Sequence, residues 1–196
     1  MKKINKGLIL TIIVVIGLTI YLVNLEKQRN DEKPEIKSIC ENFIEVTDKY
    51  SVLPKEKQVI NPNGNEEEYS KYITSVKNEL ENIMIPNEDA IMLQYQVIEE
   101  NLGNGYNNLE ARTNQKRTIN KITGYDFDGN QVTVKFQNRV EKTTQYFDGI
   151  EEQVENKTFD APYDEIILQK IDGEWKVVYA NLQFNEYDKY FDYMMF

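Results

Sequence analysis

An uncharged stretch near the N-terminus constrains this chain more than any other feature. Nineteen residues between Lys6 and Glu26, GLILTIIVVIGLTIYLVNL, carry no charge. A helix rises about 1.5 Å per residue, so the stretch covers roughly 28 Å, close to the ~30 Å hydrocarbon core of a bilayer. It is longer than the apolar core of a secretion signal and ends without a small-x-small cleavage site. The sequence therefore predicts an uncleaved anchor; a cleaved signal and a buried core helix are the alternatives.

Basic residues flank this stretch on both sides, which leaves only a slight bias for orientation. Lys2, Lys3 and Lys6 precede it, and Lys27, Arg29 and Lys33 follow it. A short basic head before a large domain is the usual signal-anchor arrangement, so we expect a single-pass protein of the cell membrane with a cytoplasmic N-terminus. The chain then divides into a cytoplasmic head 1–6, a transmembrane helix 7–25, a juxtamembrane linker 26–34, an extracytoplasmic domain 35–184 and a tail 185–196.

The charge of the chain is strongly asymmetric. The first 33 residues hold six Lys or Arg and three acids, whereas the remainder holds 17 basic and 30 acidic residues. A domain this acidic repels phosphate backbones, so nucleic acid is not an expected partner. The chain has no His and one Cys, which removes the commonest general base and metal ligand and any intrachain disulfide. We expect no cofactor, no metal and no enzymatic activity.

Two amphipathic helices are predicted in the first half of the domain. Pro34 suits a first helical turn, and an apolar stripe follows it at Ile36, Ile39, Cys40, Phe43 and Ile44. Within this stripe Cys40 is expected to be a small buried hydrophobe. The second helix is capped by Asn65, carries a stripe at Tyr69, Tyr72, Ile73, Val76, Leu80 and Ile83, and ends before Pro86. Residues 91–98 fit either a helix or a strand; the helix is favoured.

The second half of the domain changes to the two-residue period of β-strands. Three Asp-Gly pairs, at 128–129, 148–149 and 172–173, predict type I′ hairpin turns. They separate four strands at 117–127, 131–146, 151–171 and 174–184, with a bulge or break at Pro162 in the third. Helices followed by a β-meander predict an α+β fold, in which helices pack on one face of a curved antiparallel sheet.

The predicted final hairpin carries a family resemblance. IILQKIDGEWKVVYANLQF, residues 166–184, resembles the closing hairpin of many bacterial members of the nuclear transport factor 2-like superfamily. The order of elements over 35–184 is also similar to that superfamily. The resemblance implies a cone of helices against a strongly curved sheet. Bitopic proteins with such a domain resemble assembly subunits of conjugation and secretion machines or uncharacterised bacterial envelope proteins. No functional residue is carried over to this chain.

Three segments offer candidate sites. DFDGNQ, from Asp126, begins like a calcium loop but has Gln131 and Gln137 where that loop has Gly and Glu, so an exposed turn is expected. ARTNQKRTINK places four basic residues together, which fits a solvated strand edge better than a site for an acidic partner. The tail NEYDKYFDYMMF places Tyr187, Tyr190, Phe191 and Met194 on one helical face. Packing of this face on its own domain is favoured; the alternative is that it binds a protein partner or a second copy, as aromatic and Met side chains do in interface cores.

These features predict a membrane-anchored module for binding or assembly in a bacterial envelope. The anchor would raise the local concentration of a protein-binding surface at the membrane. A small-ligand pocket in the cone, serving as a sensor or carrier, is one alternative. A His-free enzyme using Asp and Tyr is the other, and a carboxyl group with a raised pKa inside a cavity would support it. The sequence leaves the oligomeric state open.

Overall fold

A computed structural model describes residues 6–52, 66–85, 110–147 and 151–183. Contacts divide the chain into two units, Met1–Lys37 and Ser38–Phe196. The described elements are two helices and four strands, which confirms an α+β fold. They are α1 Lys6–Tyr50, α2 Glu66–Ile83, β1 Glu110–Asp128, β2 Gln131–Phe147, β3 Glu152–Ile171 and β4 Glu174–Asn181. Residues 91–98, left open between helix and strand, lie outside the described residues.

The first unit is an apolar helix with exposed side chains. Its large apolar residues between Ile9 and Val23 are each 43–63% exposed. The hydroxyls of Thr11 and Thr19 donate to the carbonyls of Gly7 and Val15 at 3.0 and 2.9 Å, so their polar groups are satisfied within the helix, as an apolar environment requires. An 18-residue stretch of this helix has a mean hydropathy of 2.2, so the helix is long and apolar enough to cross a membrane.

Pro34 lies inside α1 and not in a first helical turn, so that prediction is wrong. A proline in a helix interior lacks the N–H of the helical ladder and costs about 3 kcal/mol. Side-chain pairs one turn earlier offset part of this cost. Gln28 Nε2 donates to Glu32 at 3.1 Å, and Lys33 Nζ donates to Asn30 at 2.7 Å. These contacts stabilise helix up to the proline, and residues 26–34 are helical throughout.

In the second unit the described parts of the two helical stripes lie in the core, apart from Ile39 and Ile83, which are half-buried. Cys40, Phe43, Val76 and Leu80 are each 0% exposed. Burial raises the pKa of the Cys40 thiol to about 12, which confirms that Cys40 serves as a small apolar side chain. The end of α1 meets α2 at an exposed contact, where the carboxylate of Glu79 accepts hydrogen bonds from Lys49 and Tyr50.

The four strands form one antiparallel meander in the order β1-β2-β3-β4. This confirms the predicted order and the approximate bounds of the last three strands, but β1 begins at Glu110, seven residues before the predicted start. Val132, Val134 and Phe136 of β2 are 0% exposed. Their side of the sheet, which we call the inner face, carries the core of the domain.

The turns place glycine where the backbone requires it. Asp172 and Gly173 have φ of 52° and 91°, the positive pair of a type I′ turn. In the first hairpin Asp128 pairs with Gln131, so the two turn residues are Gly129 and Asn130. Only Gly129 has positive φ, 59°, which fits a type II′ turn and shifts the predicted position by one residue. The third predicted turn, at 148–149, lies outside the described residues.

The β2–β3 pairing is interrupted at a proline. The β2–β3 register shifts between the pairs Phe136–Asp164 and Asn138–Ala161, so Pro162 and Tyr163 face the single residue Gln137. This is the bulge predicted at Pro162. Three further shifts interrupt the β1–β2 pairing. Since bulges bend strands and increase their twist, these shifts support a curved sheet.

Candidate functional site

The face predicted to bind a partner, Tyr187, Tyr190, Phe191 and Met194, lies outside the described residues. The structure does describe the chain immediately before it, up to Gln183. That residue lies against a group of buried polar side chains on the inner face. This group, which we call the polar cluster, consists of Asp48, Arg112, Gln115, Arg117, Asn138 and Asp164, each at most 7% exposed.

Asp48 connects the end of α1 to strand β1. One carboxylate oxygen accepts a hydrogen bond from Gln115 Nε2 at 2.8 Å, and the other accepts the backbone N–H of Arg117 at 2.5 Å. β1 is a terminal strand of the described sheet. A terminal strand exposes N–H groups that need acceptors. The carboxylate of Asp48 is the acceptor for one of these groups, through a charge-assisted hydrogen bond.

Asp164 is the second carboxylate of the cluster and receives three polar groups. Its Oδ2 accepts from Asn138 Nδ2 at 2.6 Å and lies 3.4 Å from Arg117 Nε. Its Oδ1 accepts the backbone N–H of Gln183 at 2.8 Å. The Arg117 and Asp164 side chains are 0% and 1% exposed, so this is a fully desolvated ion pair.

Burial raises the pKa of Asp164 above its ordinary value. The positive charge of Arg117 and the hydrogen bonds from Gln183 and Asn138 act in the opposite direction, while the negative charge of Asp48 adds to the increase. Removal from water has the larger effect because a carboxylate loses strong hydration on burial. Asp164 is therefore easier to protonate than an exposed aspartate.

Arginine completes the charge balance of the cluster. Arg112 Nη1 donates to Gln115 Oε1 at 2.6 Å, and Gln115 in turn donates to Asp48. Arg117 Nη2 donates to the carbonyl of Gln183. Two guanidinium groups thus accompany two carboxylates, which is the arrangement that buried charge requires.

The burial of these arginines corrects one expectation. ARTNQKRTINK was expected to form a solvated strand edge, and Lys116 and Lys121 are indeed exposed. Arg112 and Arg117 instead point to the inner face and are 5% and 6% exposed. The physical reason is pairing: Arg112 donates to Gln115 of the same strand and Arg117 donates to the Gln183 carbonyl, which offsets part of the cost of burying each guanidinium.

The sequence contained a signal for the cluster that composition alone does not reveal. Asn138 follows Val132, Val134 and Phe136 at the two-residue spacing of one strand face, where another apolar residue is expected. Asp164 precedes Ile166 and Leu168 on the same pattern. Asp48 continues the helical spacing of Cys40 and Ile44. A polar residue on a buried stripe predicts a partner on a facing element, but the sequence does not identify that partner.

The amide oxygen of Asn138 is buried without a hydrogen-bond donor in the described part of the chain. Asn138 is 1% exposed and its Oδ1 accepts no hydrogen bond there. Its Nδ2 is bound to Asp164. The other carboxylate oxygens of Asp48 and Asp164 bind residues of the cluster or the backbone of Gln183, so these groups hold the domain together and are not presented to solvent.

The candidate calcium turn forms an ordinary hairpin end. Asp126 and Asp128 are exposed, and Asp126 Oδ2 pairs with Lys135 Nζ at 2.8 Å. Within the described ranges, no three His, Cys, Asp or Glu side chains converge as metal ligands would.

Comparison with known proteins does not assign this chain to a family. No protein-family model matches the sequence. A search of the curated proteins returns no match either.

Proposed function

We propose that the protein is a single-pass, membrane-anchored binding and assembly module with its α+β domain outside the cytoplasm of a bacterium. The observation that carries this proposal is the exposure of the apolar side chains from Ile9 to Val23, each 43–63%. A continuous apolar surface of this length is costly in water. A bilayer offers it an apolar environment over its whole length.

The charge distribution of the chain is consistent with a domain that lies in the aqueous phase beside the membrane. A basic head precedes the span, while the remainder after Lys33 holds 30 acids and 17 basic residues. Such a domain is repelled by anionic headgroups and stays in the aqueous phase beside the membrane. We place the N-terminus in the cytoplasm because a short basic head before a large domain is the usual signal-anchor arrangement. The mechanism is positional, since anchoring raises the local concentration of a binding surface at the membrane.

The domain is further proposed to be a member of the nuclear transport factor 2-like superfamily with a cone-like form. Three features support this assignment: the meander order, the register shifts that bend β1–β3, and the closing hairpin around Asp172 and Gly173. The assignment concerns fold, and it gives no residue of this chain a catalytic role.

The polar cluster favours binding over catalysis. Asp164 has the raised pKa that a His-free enzyme would need, which is the one observation in favour of the enzyme alternative. However, Asp164 is 1% exposed and its oxygens are engaged by Asn138, Arg117 and Gln183. A general base must lie within hydrogen-bond reach of a substrate proton, and this carboxylate is bound to the protein instead.

The partner-binding surface is proposed to be the tail face formed by Tyr187, Tyr190, Phe191 and Met194. Tyrosine, phenylalanine and methionine are enriched in the cores of protein interfaces, where acids are depleted. Asp188 and Asp192 fall on other sides of the same helical pattern and would form a polar rim.

Photo-cross-linking in intact cells tests this surface. A photoreactive amino acid is placed at Tyr190 in one strain and at exposed Thr158 of β3 in a matched control. The proposal predicts a discrete cross-linked protein from the Tyr190 position and none from Thr158. Cross-links from Tyr190 that join only residues within one chain would show that the tail packs on its own domain, and would contradict the proposal.

A further inference from the structure

Charged side chains hold the chain immediately after the last strand. β4 ends at Asn181, which pairs with Glu165 of β3. Two residues later, the N–H of Gln183 donates to Asp164 Oδ1 at 2.8 Å, and its carbonyl accepts from Arg117 Nη2. Both backbone groups of Gln183 are thus bound by charged side chains, one from β3 and the other from β1.

We infer that Arg117 and Asp164 are positioning residues for the tail. By fixing Gln183 on the inner face, they set the position at which the tail begins. This inference rests on the proposed function, in which the tail binds the partner. Ordering a flexible segment on binding costs conformational entropy. A fixed starting point lowers this cost for the tail when it binds a partner.

The shape of the arginine side chain explains why this residue can fix Gln183. Arg117 directs Nε toward Asp164, 3.4 Å from Oδ2, while Nη2 of the same planar group reaches the Gln183 carbonyl. The backbone N–H of Arg117 is itself held by Asp48. Lysine has a single ammonium on a flexible stem and does not reproduce this fixed fork.

The carboxylate of Asp164 is equally specific. Its Oδ1 accepts the backbone N–H of Gln183. Its Oδ2 accepts a hydrogen bond from Asn138 and forms the ion pair with Arg117. In Asp164→Asn, one of these acceptors becomes an NH₂ group. If Oδ1 stays on Gln183, the new donor faces the Asn138 and Arg117 donors. Asn138 could rotate its amide to accept, but Arg117 would keep a buried charge without this carboxylate, which is strongly unfavourable.

The test measures the position of the tail in the purified full-length chain, in detergent micelles and without any partner. Spin labels are attached at Thr118→Cys on the exposed side of β1 and at Asn185→Cys, two residues beyond Gln183. Cys40 stays unlabelled because it is buried and its thiol pKa is about 12. The labelled parent is compared with Asp164→Asn, with Arg117→Lys and with the matched control Asp160→Asn, which changes an exposed residue of the same strand.

The inference predicts a narrow distance distribution in the labelled parent and in Asp160→Asn, and a broad one in Asp164→Asn and Arg117→Lys. In the last two, amide exchange at Gln183 should accelerate about tenfold or more, while exchange in β2 changes much less. An equally narrow distribution in all four proteins would overturn the inference, as would a broad one in the parent.

The positioning role and the proposed partner binding can fail independently of each other. If the distances behave as expected but Tyr190 cross-links to no other protein, the tail is positioned and the proposed partner binding is wrong. If Tyr190 cross-links to a partner while the distances do not respond to Asp164→Asn, the function stands and the positioning role is wrong. A variant that loses the β2 protection has unfolded. In that case Arg117→Lys, which keeps the buried positive charge, provides the test.

Discussion

Arg117 and Asp164 form an ion pair across the full width of strand β2. Arg117 Nε on β1 lies 3.4 Å from Asp164 Oδ2 on β3, and the side chains are 0% and 1% exposed. Strands two positions apart are separated by roughly 10 Å, so a long side chain is needed to join them. The pair links the two flanks of the three long strands on the inner face and, through Gln183, the end of β4.

Removing the positive charge of this pair should destabilise the domain severely. Arg117→Gln leaves Asp164 without its cation in a desolvated site, and such a loss typically costs about 3–5 kcal/mol of unfolding free energy. Arg139→Gln is the matched control, because Arg139 pairs with Glu141 at 3.8 Å in an exposed position, where a pair contributes at most about 1 kcal/mol. Urea unfolding followed by the fluorescence of the single Trp, Trp175, measures both. Equal losses in the two variants would show that the buried pair has no special role.

The stability contributed at Asp164 should depend on pH. Its pKa is raised in the folded state, so the folded protein binds a proton more tightly there than the unfolded chain. Stability from this group is therefore gained as pH falls through the folded-state pKa and is lost as pH rises through it. As the pH is lowered from 7 to about 4, the unfolding free energy of the wild type should increase relative to that of Asp164→Asn. A difference that shrinks on acidification would mean that the pKa of Asp164 is lowered in the folded state, and would contradict this prediction.

Cys40 should be unreactive in the folded protein. The thiol is fully buried and its pKa is raised to about 12, and only a thiolate alkylates readily. A maleimide should label Thr118→Cys within the normal reaction time and should label Cys40 only in denaturant. Cys40→Ser should lower the unfolding free energy by about 1–3 kcal/mol, because a hydroxyl would replace a buried apolar group. Rapid labelling of Cys40 in the native protein would contradict its placement in the core.

The last hairpin should need its glycine, whereas β1 should not. Gly173 has φ of 91°, a region that costs residues with a Cβ about 1–2 kcal/mol. Gly173→Ala should lower the unfolding free energy by that amount. Gly124→Ala is the control: an added Cβ there meets nothing within 4 Å, and we expect a change within about 0.5 kcal/mol. If the control is the more damaging substitution, the turn geometry is not the determinant.

Local patterns predicted much of the fold because their causes are local. The Asp-Gly pairs and the alternation of Val132, Val134 and Phe136 identified the meander, and Pro162 marked its bulge. Prediction of the helix start failed at Pro34, where neighbouring side-chain pairs stabilise the helix through the proline. The polar cluster could not be assembled from sequence, because Asp48, Arg117 and Asp164 meet only through the packing of α1, β1 and β3. Their partners lie far apart along the chain, and no local rule connects them.

Binding of a protein partner through the tail of the anchored domain can be measured by co-purification after cross-linking in intact cells. Three tagged chains are compared: the wild type, a variant with Ser at Tyr187, Tyr190, Phe191 and Met194, and a control with Glu186→Gln, Asp188→Asn and Asp192→Asn. We expect one reproducible set of envelope proteins to co-purify with the wild type and with the control. The same proteins should be lost with the Ser variant. Recovery of the wild-type chain alone, or of the same proteins with the Ser variant, would contradict partner binding through the tail.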